Sequence, residues 1–262
     1  MGYLDLNTHR LHYRVDGGAN GPGRPWLMFC NSLGTDLHMW DAQIPDLSQA
    51  FRILRYDRRG HGLSSAPSGP YTIEDLGQDA LALMKSMNID RVHYCGLSIG
   101  GLTAQWLSIH AADRLATLTV CSTASRIGTA DSWIARIDAV REGGLMPLIP
   151  ATAERWFSPA FLGENTAVTT EILKGFSATS PEAYIGCCAA LATADLSGDL
   201  SKISTPLLAI SGRDDPVCPP GDLRNIADQV QRGSHLSLPG RHIVNLESAR
   251  AFNAALFDFL AA

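Results

Sequence analysis

Short apolar runs separated by helix-like stretches set the main limit on how this chain folds. "WLMFC", "FRILRYD", "RVHYCG", "ATLTVCS", "LLAISG" and "SHLSLPG" have the length and residue types of strands. Between them lie "TIEDLGQDALALMKSMNI", "LTAQWLSIHAA" and "LRNIADQV", which read as helices. Strand and helix in alternation need crossover connections, so the expected fold is α/β with a mostly parallel sheet covered on both faces. The N-terminal "YLDLNTHRLHYRVDG" instead alternates around a turn at Asn7-Thr8 and predicts an antiparallel hairpin, followed by the Gly/Pro-rich loop "GGANGPGRP". With that hairpin the sheet has about eight strands. The amphipathic "NLESARAFNAALFDFLAA" is expected to close the domain.

Residues 123–196 break the rhythm, with helical periodicity and no convincing strand. Within them Trp133, Ile134, Ile137 and Val140 are expected to share one helix face. The expected division is a core of residues 1–122 and 197–262 interrupted by an all-helical insertion. Ligands of open α/β folds bind at the carboxyl edge of the sheet, where this insertion emerges, so it reads as a cap. At 262 residues and 45% hydrophobic content the chain can bury one large core, and nothing in it suggests repeats or independently folding units.

The stretch "CGLSIGG", Cys95 to Gly101, puts a serine between glycines where an apolar run turns into a helix. Gly96-Leu97-Ser98-Ile99-Gly100 matches G-x-S-x-G in the strand-turn-helix setting that lifts a nucleophile clear of a sheet. A serine hydroxyl is a weak nucleophile and needs a base oriented by an acid. His242, in "PGRHIVNLE", falls after the last strand and before the final helix, again at the carboxyl edge. The other histidines considered read as structural: His9 and His12 in the hairpin, His61 in a turn, His93 and His235 in or at strands, and His110 at a helix end. Asp214 and Asp215 follow the run "LLAISG", and Ser, Asp, His is the chain order this architecture requires. An oxyanion needs two backbone N–H donors. Ile99, after the serine, supplies one, and Leu33, in the loop after "WLMFC", is the expected second.

Composition excludes several other classes. A net charge of −5 with 18% charged residues shows no basic stripe for nucleic acid. No apolar run is long enough for a membrane span, and the start lacks a signal-peptide pattern. Cys30, Cys95, Cys121, Cys187, Cys188 and Cys218 show no CxxC spacing, which suits buried thiols in a reducing cytoplasm better than disulfides or a zinc site.

These motifs resemble the α/β-hydrolases over essentially the whole chain. "YDRRGHGLS", Tyr56 to Ser64, resembles the family's Asp-x-Arg-Gly-x-Gly-x-Ser turn. "SGRDDPV" resembles its acid loop, where the acid stands three residues after the glycine; from Gly212 that selects Asp215 over Asp214. One departure is Asn31-Ser32, where many relatives carry His-Gly. "NSLGTDLHMWDAQ", "GLSIGG" followed by "QWL", and "RWFSPAF" further resemble the 3-oxoadipate enol-lactonases of bacterial aromatic-compound degradation. The resemblance implies hydrolysis of 3-oxoadipate enol-lactone to 3-oxoadipate without metal or organic cofactor. That lactone carries a carboxylate, so a local cation is expected, with Arg136 and Arg155 the candidates and Trp133 and Trp156 as pocket walls. Rival readings are cleavage of another ester, lactone or carbon-carbon bond on the same triad, and a slow ligand sensor. A substrate panel separates the first, and a ligand-dependent protein partner the second.

Overall fold

In the computed structural model, which describes residues 1–17 and 23–262, the alternating N-terminus forms β1 (Gly2–Asp5) and β2 (Arg10–Asp16). They pair antiparallel with Leu4 opposite Leu11, as the turn at Asn7-Thr8 demands. Much of "GGANGPGRP" lies outside the described residues. The six apolar runs become β3 (Trp26–Cys30), β4 (Arg52–Tyr56), β5 (Val92–Leu97), β6 (Leu115–Cys121), β7 (Leu207–Gly212) and β8 (Gly233–Leu238). The sheet order is β1-β2-β4-β3-β5-β6-β7-β8, parallel from β4 to β8 and antiparallel only through the hairpin. All six residues of β7 are buried, which is why it reads as an unbroken apolar run and does not alternate.

Helices fill the crossovers. After β3 the chain makes a short 3-10 helix, Leu37–Gln43, and α1 (Ile44–Leu47). Between β4 and β5 lies α2 (Ile73–Ser86), started by a reciprocal cap in which Thr72 Oγ1 accepts from Asp75 N and Thr72 N donates to Asp75 Oδ2. Next comes α3 (Ile99–His110), buried on nearly every side because it lies under the sheet's centre. The closing segment is α9 (Pro220–Gln229) and, after β8, α10 (Val244–Glu247) and α11 (Ala249–Ala261). Before these, five helices separate β6 from β7: α4 (Ala130–Gly143), α5 (Ile149–Trp156), α6 (Pro159–Glu164), α7 (Thr166–Ala178) and α8 (Pro181–Thr193). Proline in the first turn of α5, α6, α8 and α9 costs no hydrogen bond, since the first N–H groups of a helix have no partner within it. In α4, Ile137 and Val140 are buried and Trp133 half-buried, but Ile134 is 50% exposed. Positions 133, 137 and 140 follow the helical repeat; Ile134, one residue on from Trp133, is rotated by about 100° away from it.

The core is stitched by aromatic contacts between distant segments. Trp40 stacks on Phe29 at 4.4 Å and meets Phe252 of α11 at 6.3 Å, tying the closing helix to β3. All six cysteines are buried and unbridged. The turn after β4 is organised by Asp57, whose carboxylate accepts from His12 Nδ1 (2.7 Å), Leu37 N (2.8 Å) and Leu63 N (3.0 Å). His61 in the same turn is wholly buried and donates Nδ1–H to Arg59 O at 3.1 Å. Its Nε2 has no partner among the described residues.

Burial, reinforced by the nearby Arg58 charge, pushes the His61 pKa down to about 3, so the folded protein holds it neutral. Unfolded, it protonates near pH 6.5, and stability is therefore lost as pH falls from about 6.5 toward 3. Urea titrations should show wild type losing about 2 kcal/mol more than His61→Gln between pH 7 and pH 5. Equal losses in the two proteins would contradict this assignment.

Candidate active site

β5 ends at Leu97 and α3 begins at Ile99, so Ser98 alone makes the turn between them. Its φ of 58° and ψ of −120° are strained for an L residue, at a cost of about 1–3 kcal/mol. Two hydrogen bonds hold it there: Ser98 N donates to Cys121 O at 2.9 Å, and Thr123 Oγ1 donates to Ser98 O at 2.8 Å. The flanking glycines allow backbones to touch. A Cβ on Gly96 would stand 2.1 Å from Gly100 O, and one on Gly100 would stand 2.4 Å from Cys30 O. No side chain fits at either place.

β7 and β8 run parallel to β5 on the far side of β6, and the loops leaving them carry the other two groups. His242 Nδ1 donates to Asp215 Oδ2 at 2.9 Å, with both residues buried. Asp215 Oδ1 accepts from Val217 N at 2.8 Å and Cys218 N at 3.2 Å, so the carboxylate is oriented by backbone as well as by imidazole. With Nδ1 protonated toward Asp215, the lone pair of Nε2 is free to take a proton. Asp214 is exposed. Ser98 and His242 line one cavity without a direct hydrogen bond between Oγ and Nε2, a spacing common before substrate arrives.

The loop after β3 supplies the opposite wall. Among the described residues neither Leu33 N–H nor Ile99 N–H is used in a hydrogen bond, and Leu33 lines the cavity beside Ser98. Asn31 turns its side chain into the core: Nδ2 donates to Tyr56 O at 2.9 Å and Oδ1 accepts from Trp40 Nε1 at 3.0 Å. The Asn31-Ser32 departure therefore leaves the cavity's backbone donors in place and serves to pin the loop.

The cavity has a volume of about 370 Å³, within the range of small-molecule sites. Its roof comes from the helical insertion, and Trp133, Arg136, Arg155 and Trp156 all line it. Arg155 donates Nη2–H to Thr152 Oγ1 at 3.3 Å, and neither arginine forms an ion pair with a carboxylate among the described residues. Burial and, after it, the charge of Arg136 lower the pKa of Arg155. Ser132, Thr152 and Tyr184 also line the cavity and were not singled out in the sequence. Ser132 stands four residues before Arg136, and Thr152 three before Arg155, so helical spacing could have flagged both. Tyr184, on α8, carries no such local signal. Its phenol is raised in pKa by burial and remains a neutral donor. Among the described residues no group of His, Cys, Asp and Glu could hold a metal ion, and no helix is long and apolar enough to cross a membrane.

A hydroxyl on a strained turn, an imidazole oriented by a buried carboxylate, and two free N–H groups form a constellation able to perform acyl transfer. A family model of the alpha/beta hydrolase fold matches residues 25–143. The chain is 41% identical over 246 residues to 3-oxoadipate enol-lactonase 2 of Acinetobacter baylyi, spanning 94% of this chain and 91% of that one. It is 38% identical to 3-oxoadipate enol-lactonase 1 of the same organism, spanning 94% and 92%. The crystal structure of the enol-lactonase from Burkholderia xenovorans LB400 superimposes over all of both chains with a TM-score of 0.97 at 41% identity. With relatives this similar over nearly its whole length, and with the sheet and site described above, the chain belongs to the α/β-hydrolase family.

Proposed function

We propose that the chain hydrolyses 3-oxoadipate enol-lactone to 3-oxoadipate through an acyl-enzyme on Ser98. The observation that carries this reading is one cavity lined by Ser98, His242 and two arginines that have no carboxylate partner among the described residues. A lactone carbonyl meets the hydroxyl, and the lactone's own carboxylate meets the cations. The printed names of the relatives support the choice of lactone.

In this mechanism His242 Nε2 takes the Ser98 proton as Oγ bonds to the lactone carbonyl carbon. Asp215 stabilises the imidazolium through the bond to Nδ1. The carbonyl oxygen gains charge and is held by the N–H groups of Leu33 and Ile99. The ring C–O bond then breaks, the leaving oxygen takes the proton back from His242, and the released enol becomes a ketone. Nothing departs at this step, because the leaving group remains tethered to the acyl chain. Water, deprotonated by His242, attacks the ester and returns Ser98 to its starting state.

Residues 123–196 act as a cap in this reading, with Arg136 and Arg155 gripping the carboxylate and Trp133 and Trp156 flanking the ring. A guanidinium can hold a carboxylate through two hydrogen bonds, which supplies locally the attraction that a net charge of −5 does not. The chain would serve cytoplasmic breakdown of aromatic compounds in a bacterium.

Ser98→Ala should fold normally and lose roughly 10⁴- to 10⁶-fold in kcat on the lactone, followed by its ultraviolet absorbance. Near-normal turnover by that variant would end the acyl-enzyme proposal. Arg155→Ala and Arg136→Ala should each raise KM for the anionic lactone by roughly 10- to 100-fold while leaving the cleavage of neutral p-nitrophenyl acetate little changed. An unchanged KM for the lactone in either variant would remove that arginine from the carboxylate site.

A further inference from the structure

Arg58 is buried against the loop that carries Leu33, 2% exposed, and forms no ion pair among the described residues. Its neighbour in sequence, Asp57, is already committed to His12, Leu37 and Leu63. Two acidic neighbours of the guanidinium, the Tyr56 phenol and the Cys187 thiol, do not neutralise it, because burial raises the first and pushes the second up to about 11. An arginine keeps its charge in such a place, and an unpaired buried charge is expensive. Its two Nη groups bond to backbone, while Nε is left without a partner among the described residues. Arg58 Nη1 donates to Ser32 O at 3.3 Å, and Nη2 donates to Asn31 O.

The carbonyl of Ser32 belongs to the same peptide unit as the N–H of Leu33. That bond is trans, so the two groups point in opposite directions. Thr35 adds two further donors to the same oxygen, Oγ1 at 2.9 Å and N at 3.3 Å. Three groups thus grip one end of the peptide from the core side, and the Leu33 N–H at the other end is left, next to the cavity, without an acceptor among the described residues.

We infer that Arg58 is a positioning residue for acyl transfer: with Thr35 it locks the Ser32–Leu33 peptide so that Leu33 N–H stays aimed at the reacting carbonyl oxygen. The guanidinium also polarises the peptide in the direction that strengthens this donor, in a region of low dielectric where such an effect is large. Arg58 itself never touches substrate. The inference rests on the proposed role of Leu33 and Ser98, but not on the identity of the lactone.

The test uses Arg58→Met, Arg58→Lys and Thr35→Val in the full chain, assayed on the lactone and on p-nitrophenyl acetate. Binding of phenylboronic acid, whose anionic tetrahedral adduct with serine occupies the same donors, is measured beside the rates. Arg58→Met should lower kcat roughly 10- to 100-fold, less than loss of a donor outright, with KM within about twofold. Boronate affinity should fall by a similar factor. Arg58→Lys should recover part of both, since it keeps the charge but not the fork that spans two carbonyls. Thr35→Val should lower kcat by a smaller factor, and the double variant should be less than additive. If Arg58→Met fails to fold, Arg58→Lys and Thr35→Val decide the matter. Wild-type kcat and boronate affinity in the folded variants, or a loss confined to KM or to melting temperature, would overturn the inference. Activity surviving in Ser98→Ala would instead overturn the reading of the site on which it rests.

Discussion

The close approach of backbone to backbone around Ser98 is the constraint on which the site depends. Cys30 of β3 lies opposite Gly96 of β5, and the carbonyl of Cys30 comes so near Gly100 that no Cβ can stand between them. This contact joins the end of β3 to the start of α3. The loop carrying Leu33 therefore begins beside the turn carrying Ser98, and two N–H groups far apart in sequence border one space. Parallel pairing does the rest. β6, β7 and β8 run in the same direction as β5, so their following loops emerge at one edge and deliver Asp215 and His242 to it. The strain at Ser98 is stored in a place where Cys121 and Thr123 hold it from the neighbouring strand.

Charge is arranged in layers around that edge. Asp215, a buried anion, is compensated by imidazole and by two backbone N–H groups. Arg136 and Arg155 line the cavity without carboxylate partners among the described residues and raise the local potential in a protein of negative net charge. Arg58 is buried behind the Asn31-Ser32 loop, its Nη groups on two carbonyl oxygens and its Nε without a partner among the described residues. A negative charge developing at the carbonyl of a bound ester would lie among these cationic groups. Away from bulk water such an arrangement counts for more than it would on the surface.

Much of this was legible from local pattern. The elbow, the acid loop and the histidine after the last strand each sit where chain direction alone puts them at the carboxyl edge. Six strands follow from apolar runs of strand length, and the other two from the alternation of the N-terminal hairpin. Asp215 could not be told from Asp214 by charge or position; the family's spacing separates them, and in the structure only Asp215 is buried against His242. Features set by distant partners were not legible. Ile134 was expected on the buried face of α4, but packing against α8 selects the Trp133, Ile137, Val140 stripe and leaves it in solvent. Tyr184 reaches the cavity only through the fold of the insertion. In the sequence Arg58 falls at the unspecified second position of the Asp-x-Arg-Gly turn, and its contact with the Ser32 carbonyl exists only once β3 and β4 pair.

The claim that chemistry passes through Ser98 is tested most directly by trapping the intermediate. Enzyme mixed with excess 3-oxoadipate enol-lactone, quenched in acid within milliseconds and measured by intact mass, should carry an adduct equal to one whole lactone, since ring opening expels no fragment. Peptide mapping should place it on Ser98, and the adduct should vanish as the lactone is consumed. Rapid turnover with no adduct at any quench time, or an adduct on another residue, would contradict the acyl-enzyme.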